Sequence, residues 1–385
     1  MDYFKAFLTV LVVLHHSILS FTVNAKAGIP IADRASFMGY DFLVGLNDNF
    51  FMFAFFFVSG YFIWRSIQKK GAGRWTAERA RRLGIPFGIG ILTVNLITYF
   101  LGALVRMRQT GATPEGRDLW AIFMQGIGQH GYHLWFLWLL LVFSLVIAVI
   151  VRAMPNPTRP PADSRFYRSA WVFLPCFLGL SLVCYAPMVT LFGTAFVGFG
   201  AADLQISRLL IYFLFFFTGY LFGKREPGKT LLAKESRFTK AWWAMLLAGL
   251  ASYGAIYYFY ILGAIPQRNP WLGYVFPFLS VFAAVFLTFG LLSAFNLYVR
   301  KPNKAADSLA KNAFSIYFIH YVIVTGMLYV LYDAELPGVW KGIIVFAAAL
   351  PISWLLAALW ARIIKTIRKK KSIPDGPEAH AQQQL

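Results

Sequence analysis

HLWFLWLLLVFSLVIAVIV, residues 133–151, decides the fold class, because it holds one serine and no Asp, Glu, Lys or Arg. About 20 apolar residues in a helix cross a hydrocarbon core of about 30 Å, and the helix satisfies every backbone N–H and C=O where no water can. Similar runs recur on both sides of it. Breaks at polar or Pro/Gly-rich stretches place helices near 2–23, 49–67, 85–106, 133–151, 170–192, 208–223, 241–262, 273–297, 311–332 and 340–364. Composition agrees: the chain is 59% hydrophobic and 14% charged, against about 25% charged residues in a soluble domain. The expected fold is all-α, a polytopic helical membrane protein with about ten transmembrane helices. One transmembrane domain is expected over 1–371. The stretch SIPDGPEAHAQQQL (372–385), polar and containing Pro and Gly, reads as a disordered cytoplasmic tail.

The net charge of +20 does not point to nucleic acid, because Lys and Arg sit in short clusters between apolar runs and form no folded basic surface. Topology accounts for them. With both termini inside, the cytoplasmic segments 65–84, 152–169, 224–240, 300–311 and 362–371 together with Lys5 hold 28 of the 36 Lys and Arg, which leaves eight outside. This is the bias of the positive-inside rule. The first segment, MDYFKAFLTVLVVLHHSILSFTV, lacks a small-residue cleavage site and reads as a retained span. Cys176 and Cys184, eight apart in one apolar run, are too far apart on a helix for a disulfide and read as packing residues. No internal repeat is found.

Ionisable groups inside a bilayer cost several kcal/mol and mark function by default. His15 and His16 lie in the outer half of the first span and His320 is mid-span in SIYFIHYVIV. His130 and His133 stand at the outer mouth of the fourth, and His380 is incidental. Lys5 and His16 are 11 residues apart, so they share a helical face at depths that differ by about 16 Å. Beyond the second span, Arg65, Arg79, Arg81 and Arg82 supply guanidinium forks suited to phosphate. Arg79 and Arg82 share a face if their loop is helical, and Pro86 is then placed to open the third helix. Ser59 and Gly60 form a small notch that admits another helix or a ligand. The aromatic runs FFMFAFFF (50–57) and LWFLWLLL (134–141) are expected against lipid. Walker, HExxH, GxSxG and CxxC motifs do not occur, which argues against an ATPase, a zinc protease and a serine-elbow hydrolase.

At these residues the chain resembles the membrane-bound acyltransferase-3 family. DYFKAFLTVLVVLHH matches an Arg, ten residues, His pattern with Lys5 in place of Arg and His16 as the histidine. FFFVSGYF followed by RARRLGIP matches the family's aromatic SGY/F helix and its Arg-x-x-Arg-x-x-x-Pro ending, on Arg79, Arg82 and Pro86. HLWFL (133–137) and NAFSIYFIH (312–320) complete the match in family order, from residue 2 to about 332. GYHLWFL and RLGIP look most like the branch that succinylates periplasmic glucans. Lys5 keeps the charge of the family's Arg and loses its bidentate fork.

The resemblance implies an enzyme of a bacterial inner membrane. It would move an acetyl or succinyl group from cytoplasmic acyl-CoA to a hydroxyl of an extracytoplasmic glycan, with no tightly bound cofactor and no metal. Within that reading His16 is the general base or a transient acyl carrier. His133 and His320 orient the acceptor or stabilise the oxyanion. Arg79 and Arg82, with Arg65, bind the CoA phosphates, Ser59 and Gly60 let the pantetheine thread, and Lys5 and His15 stand beside the route. Two rivals remain open, a transporter or flippase and a non-catalytic member of the same fold. The scarcity of intramembrane acids counts against a proton-driven transporter. No motif in 24–48 or 107–132 identifies the acceptor, and the oligomeric state is not legible.

Overall fold

The computed structural model describes residues 1–24, 28–111, 116–127, 131–153, 164–198, 200–263, 270–299, 301 and 303–371. The tail 372–385, His130 and His380 lie outside them. Among the described residues ten helical segments are long and apolar enough to cross a membrane: α1 (Asp2–Leu19), α2 (Met38–Lys70), α3 (Ala72–Thr110), α4 (Tyr132–Ala153), α5 (Ala170–Phe192), α6 (Ile206–Gly223), α7 (Trp242–Ile261), α8 (Gly273–Tyr298), α9 (Lys304–Leu331) and α10 (Gly338–Ile367). No strand occurs among them, only an isolated bridge between Val197 and Leu204.

Two spans are longer than the hydropathy pattern indicates. α2 begins at Met38, well before the apolar run, and is built from helical pieces Met38–Asp48, Phe51–Tyr61 and Ile63–Lys70. Its first piece contains Asp41, which reads as loop, yet Asp41 is buried because its carboxylate accepts the Val23 and Asn24 amides at 2.8 Å each. α3 begins at Ala72, so Pro86 lies inside the helix and does not open it. Gly71 makes the turn between the two spans with φ +76°, a conformation that costs glycine little. Glu78 then pairs with Lys70 and, at 3.1 Å, with Arg74. The segment expected as a basic loop is a tight helical corner, and the freed backbone groups around Pro86 are tolerated in a packed helix.

Packing sets α1 against α9, α10 and α2. Between apolar helices in lipid the hydrophobic effect contributes little, so close fit and small residues decide association. The α2–α6 pair shows this: a Cβ on Gly60 would run into the Phe216 carbonyl, on Gly219 into that of Phe57, and on Gly223 into that of Tyr61. Here the aromatic expectation is overturned. Phe50 to Phe57 are all buried, and Leu134, Phe136, Leu137, Leu139 and Leu140 are too. Phe53 meets Phe215 at 5.1 Å, Phe56 meets Phe136 at 4.9 Å and Phe57 meets Phe289 at 5.4 Å between ring centroids, so these rings interlock inside the bundle. Cys176, free and exposed, is on the surface and does not pack inside.

α9 starts on Asn303, whose side chain accepts from the Ala305 and Ala306 amides at 2.9 and 3.1 Å. Tyr3 donates to Asp307 at 2.7 Å and ties the start of α1 to that cap. One cavity of about 340 Å³ is lined by Asp2, Arg65, Thr230, Lys234 and Val299, so the start of α1, the end of α2, the α6–α7 connection and the end of α8 meet at one end of the bundle. At the other end Lys341 donates to both Asp33 oxygens at 3.1 and 3.0 Å and to the Tyr332 carbonyl at 3.1 Å, all buried. This pair pins the segment after α1 to the start of α10.

Candidate functional site

Three helices converge on a histidine cluster. His16 comes from α1, His133 from the first turn of α4 and His320 from the middle of α9. Ring centroids lie 5.2 Å apart for His16 and His320, 4.9 Å for His133 and His320, and 6.3 Å for His16 and His133. Sequence reasoning singled out all three residues, and packing brings them into contact.

Two of the rings are oriented by carbonyl oxygens, which only accept. His320 Nδ1 lies 2.7 Å from the Tyr317 carbonyl and His133 Nε2 lies 3.3 Å from that of Phe318. In a neutral imidazole the nitrogen facing a carbonyl carries the hydrogen. That leaves His320 Nε2 and His133 Nδ1 as bare acceptors, and both are buried without a partner. His16 Nδ1 is likewise buried and unpartnered. Buried polar atoms are nearly always hydrogen-bonded, so three such nitrogens in one cluster call for a ligand or water as partner, one that donates at His320 Nε2 and His133 Nδ1.

Tyrosines frame the cluster; they lie in SIYFIHYVIV and GYHLWFL, where sequence reasoning assigned none of them a role. Tyr321 meets His16 edge-on at 4.6 Å and stacks on His133 at 4.9 Å. Tyr317 donates its hydroxyl to the His133 carbonyl. Tyr132 stacks on Tyr321 at 5.6 Å and is the one non-glycine residue with positive φ among the described residues, at +40°. Strain of that kind accumulates at functional sites. The only sequence signal for Tyr321 is its place beside His320, which does not stand out against 19 tyrosines. His15 turns toward α2: Nε2 is 3.8 Å from Asp48 and the ring stacks on Phe51 at 5.2 Å.

The basic residues divide. Arg79 Nε donates to the buried Ser144 Oγ on α4 at 3.2 Å, and Arg82 lies over the Phe314 ring of α9 at 5.9 Å. Lys5, 3.9 Å from Asp2, is near enough to Arg82 to feel its charge. These three cations lie on α1 and α3 toward the basic end. Arg65 stands apart on the 340 Å³ cavity, which neither Arg79 nor Arg82 lines. Arg81 is exposed. The notch at Gly60 is filled by α6, so of its two possible occupants the structure contains a helix, and no room is left there for a ligand.

The family model described as an acyltransferase domain matches residues 1–358. The chain therefore belongs to the membrane-bound acyltransferase-3 family. No curated protein and no solved structure matches it.

Proposed function

We propose that this multi-pass membrane acyltransferase moves an acyl group from cytoplasmic acyl-CoA to a hydroxyl of an extracytoplasmic carbohydrate. The observation that carries the reading is the meeting of His16, His133 and His320 in ring contact with unpartnered nitrogens, on helices α1 and α9 that also carry Lys5 and pack against Arg82 toward the basic end. A bacterial inner membrane goes with this reading, and the positive-inside bias supports a basic end and both termini on the cytoplasmic side. There the guanidinium groups meet the phosphates of CoA.

His16 takes the proton of the acceptor hydroxyl as its oxygen attacks the thioester carbonyl. The C–O bond forms, the C–S bond breaks, and the proton returns to the thiolate, so ester and free CoA thiol leave in balance. His133, His320 and the Tyr321 hydroxyl surround the attack and orient the acceptor or hold the oxyanion. The same cluster also permits a transient acyl group on His16, followed by transfer to the acceptor.

The test is thiol release by the purified protein from acetyl-CoA and succinyl-CoA, with and without carbohydrate acceptors, wild type beside His16→Ala. Turnover lost in the variant with donor binding retained is the expected result. If wild type neither binds nor cleaves either donor, the reading fails and a transport role takes its place.

A further inference from the structure

Beside the histidine cluster, between α1, α9 and the segment after α1, lies a second and much smaller cavity of about 10 Å³. On that scale it holds about one water-sized group. His16 and Tyr321 form one wall and Leu19, Pro30, Val324 and Leu328 form much of the rest. Three hydroxyl-bearing side chains line it, Ser20, Thr325 and Tyr321; of these Ser20 Oγ donates to the Ile31 carbonyl at 2.6 Å and Thr325 Oγ1 to that of Tyr321 at 2.8 Å. No Lys, Arg, Asp or Glu lines it. A guanidinium that approaches it, Arg106, donates to the Pro30 carbonyl at 3.4 Å and is not part of the wall.

Its position matters as much as its lining. Leu19 is one helical turn beyond His16, and Val324 and Leu328 are one and two turns beyond Tyr321, in each case away from the basic end. A donor that enters from the basic end and sets its thioester carbonyl at His16 carries its acyl chain forward into this cavity.

We propose that the pocket formed by Leu19, Pro30, Val324 and Leu328 receives the acyl chain of the donor and selects a short, uncharged group of acetyl size over succinyl. The inference rests on the transferase reading of the histidine cluster. A methyl group fills the space. A succinyl chain is too long for a space of about 10 Å³, and its carboxylate would be buried there with no cation beside it, which is unfavourable. A longer alkyl chain would have to displace Val324 or Leu19. The pocket thus sets aside the glucan-succinylating likeness of GYHLWFL and RLGIP in favour of the local chemistry.

Thiol release from acetyl-, butyryl- and succinyl-CoA tests this in the full-length protein. Wild type should use succinyl-CoA with a kcat/KM about 100-fold or more below that of acetyl-CoA. Val324→Ala should raise the butyryl-to-acetyl ratio about 10-fold, with Leu19→Ala as a second way of widening the same pocket. Arg106→Ala should leave the succinyl-to-acetyl ratio unchanged. Succinyl-CoA used as well as acetyl-CoA, or a butyryl ratio unmoved by both widening variants, would overturn the pocket assignment and leave the transferase reading standing. Release of thiol from none of the donors would sink both.

Discussion

The histidine cluster and the basic end use ionisable groups in opposite ways. In the cluster three rings touch, two are held by backbone carbonyls, and each keeps a buried nitrogen without a partner. At the basic end the cations have separate partners: Arg79 a serine, Arg82 the face of a phenylalanine, and Lys5 an aspartate. A region that acts on reacting atoms needs fixed geometry, because displacement of about 1 Å can cost a hundredfold in rate. A region that holds phosphate needs charge and reach more than a single pose. The contrast teaches that the two regions should fail differently when altered.

The largest effect expected on this comparison belongs to His16→Ala, a fall of about a hundred- to ten-thousand-fold in kcat with donor affinity preserved, measured by thiol release and by acyl-CoA binding. A loss confined to KM would erase the distinction between the regions. Lys341→Ala serves as a control outside both. It removes the buried ammonium that pairs with Asp33, whose carboxylate also accepts the Ala35 amide at 2.8 Å, and should cost about 3–5 kcal/mol of stability, read as a lower thermal midpoint in detergent, with the ratio of kcat to KM effects unlike that of either region. Arg79→Ala combined with Arg82→Ala should raise the acyl-CoA KM about 10- to 100-fold through loss of charge-assisted hydrogen bonds, with kcat changed much less. A fall in kcat alone would place those arginines with the chemistry. Lys5→Arg, which restores the family's residue, should move acyl-CoA KM by only about threefold at most. A larger gain would show that this cation makes a bidentate contact and belongs to the fixed region.

Much of the site was legible before the fold was known. His16, His133 and His320 stand out because an ionisable side chain in an apolar run is costly, and Arg79 and Arg82 stand out by their spacing. Tyr321 and Ser144 do not, since one aromatic and one hydroxyl among many carry no signal of their own. Asp33 and Lys341 are 308 residues apart, and nothing local links them. The start of α2 was misread because Asp41 and Asp48 give Met38–Asp48 the composition of a loop.

What the sequence determined alone is the membrane class and the number of spans, because apolar length is a local property matched to the bilayer thickness. The charge bias of the connections is equally local. Only the tertiary structure decided which faces look inward. Lipid and protein interior are both apolar, so Phe50 to Phe57 carry the same hydropathy in either environment, and only their fit against α6, α4 and α8 makes them core. The meeting of three histidines depends in the same way on the rotation of α1, α4 and α9 about their axes. Packing against neighbours sets that rotation, and no single helix encodes it.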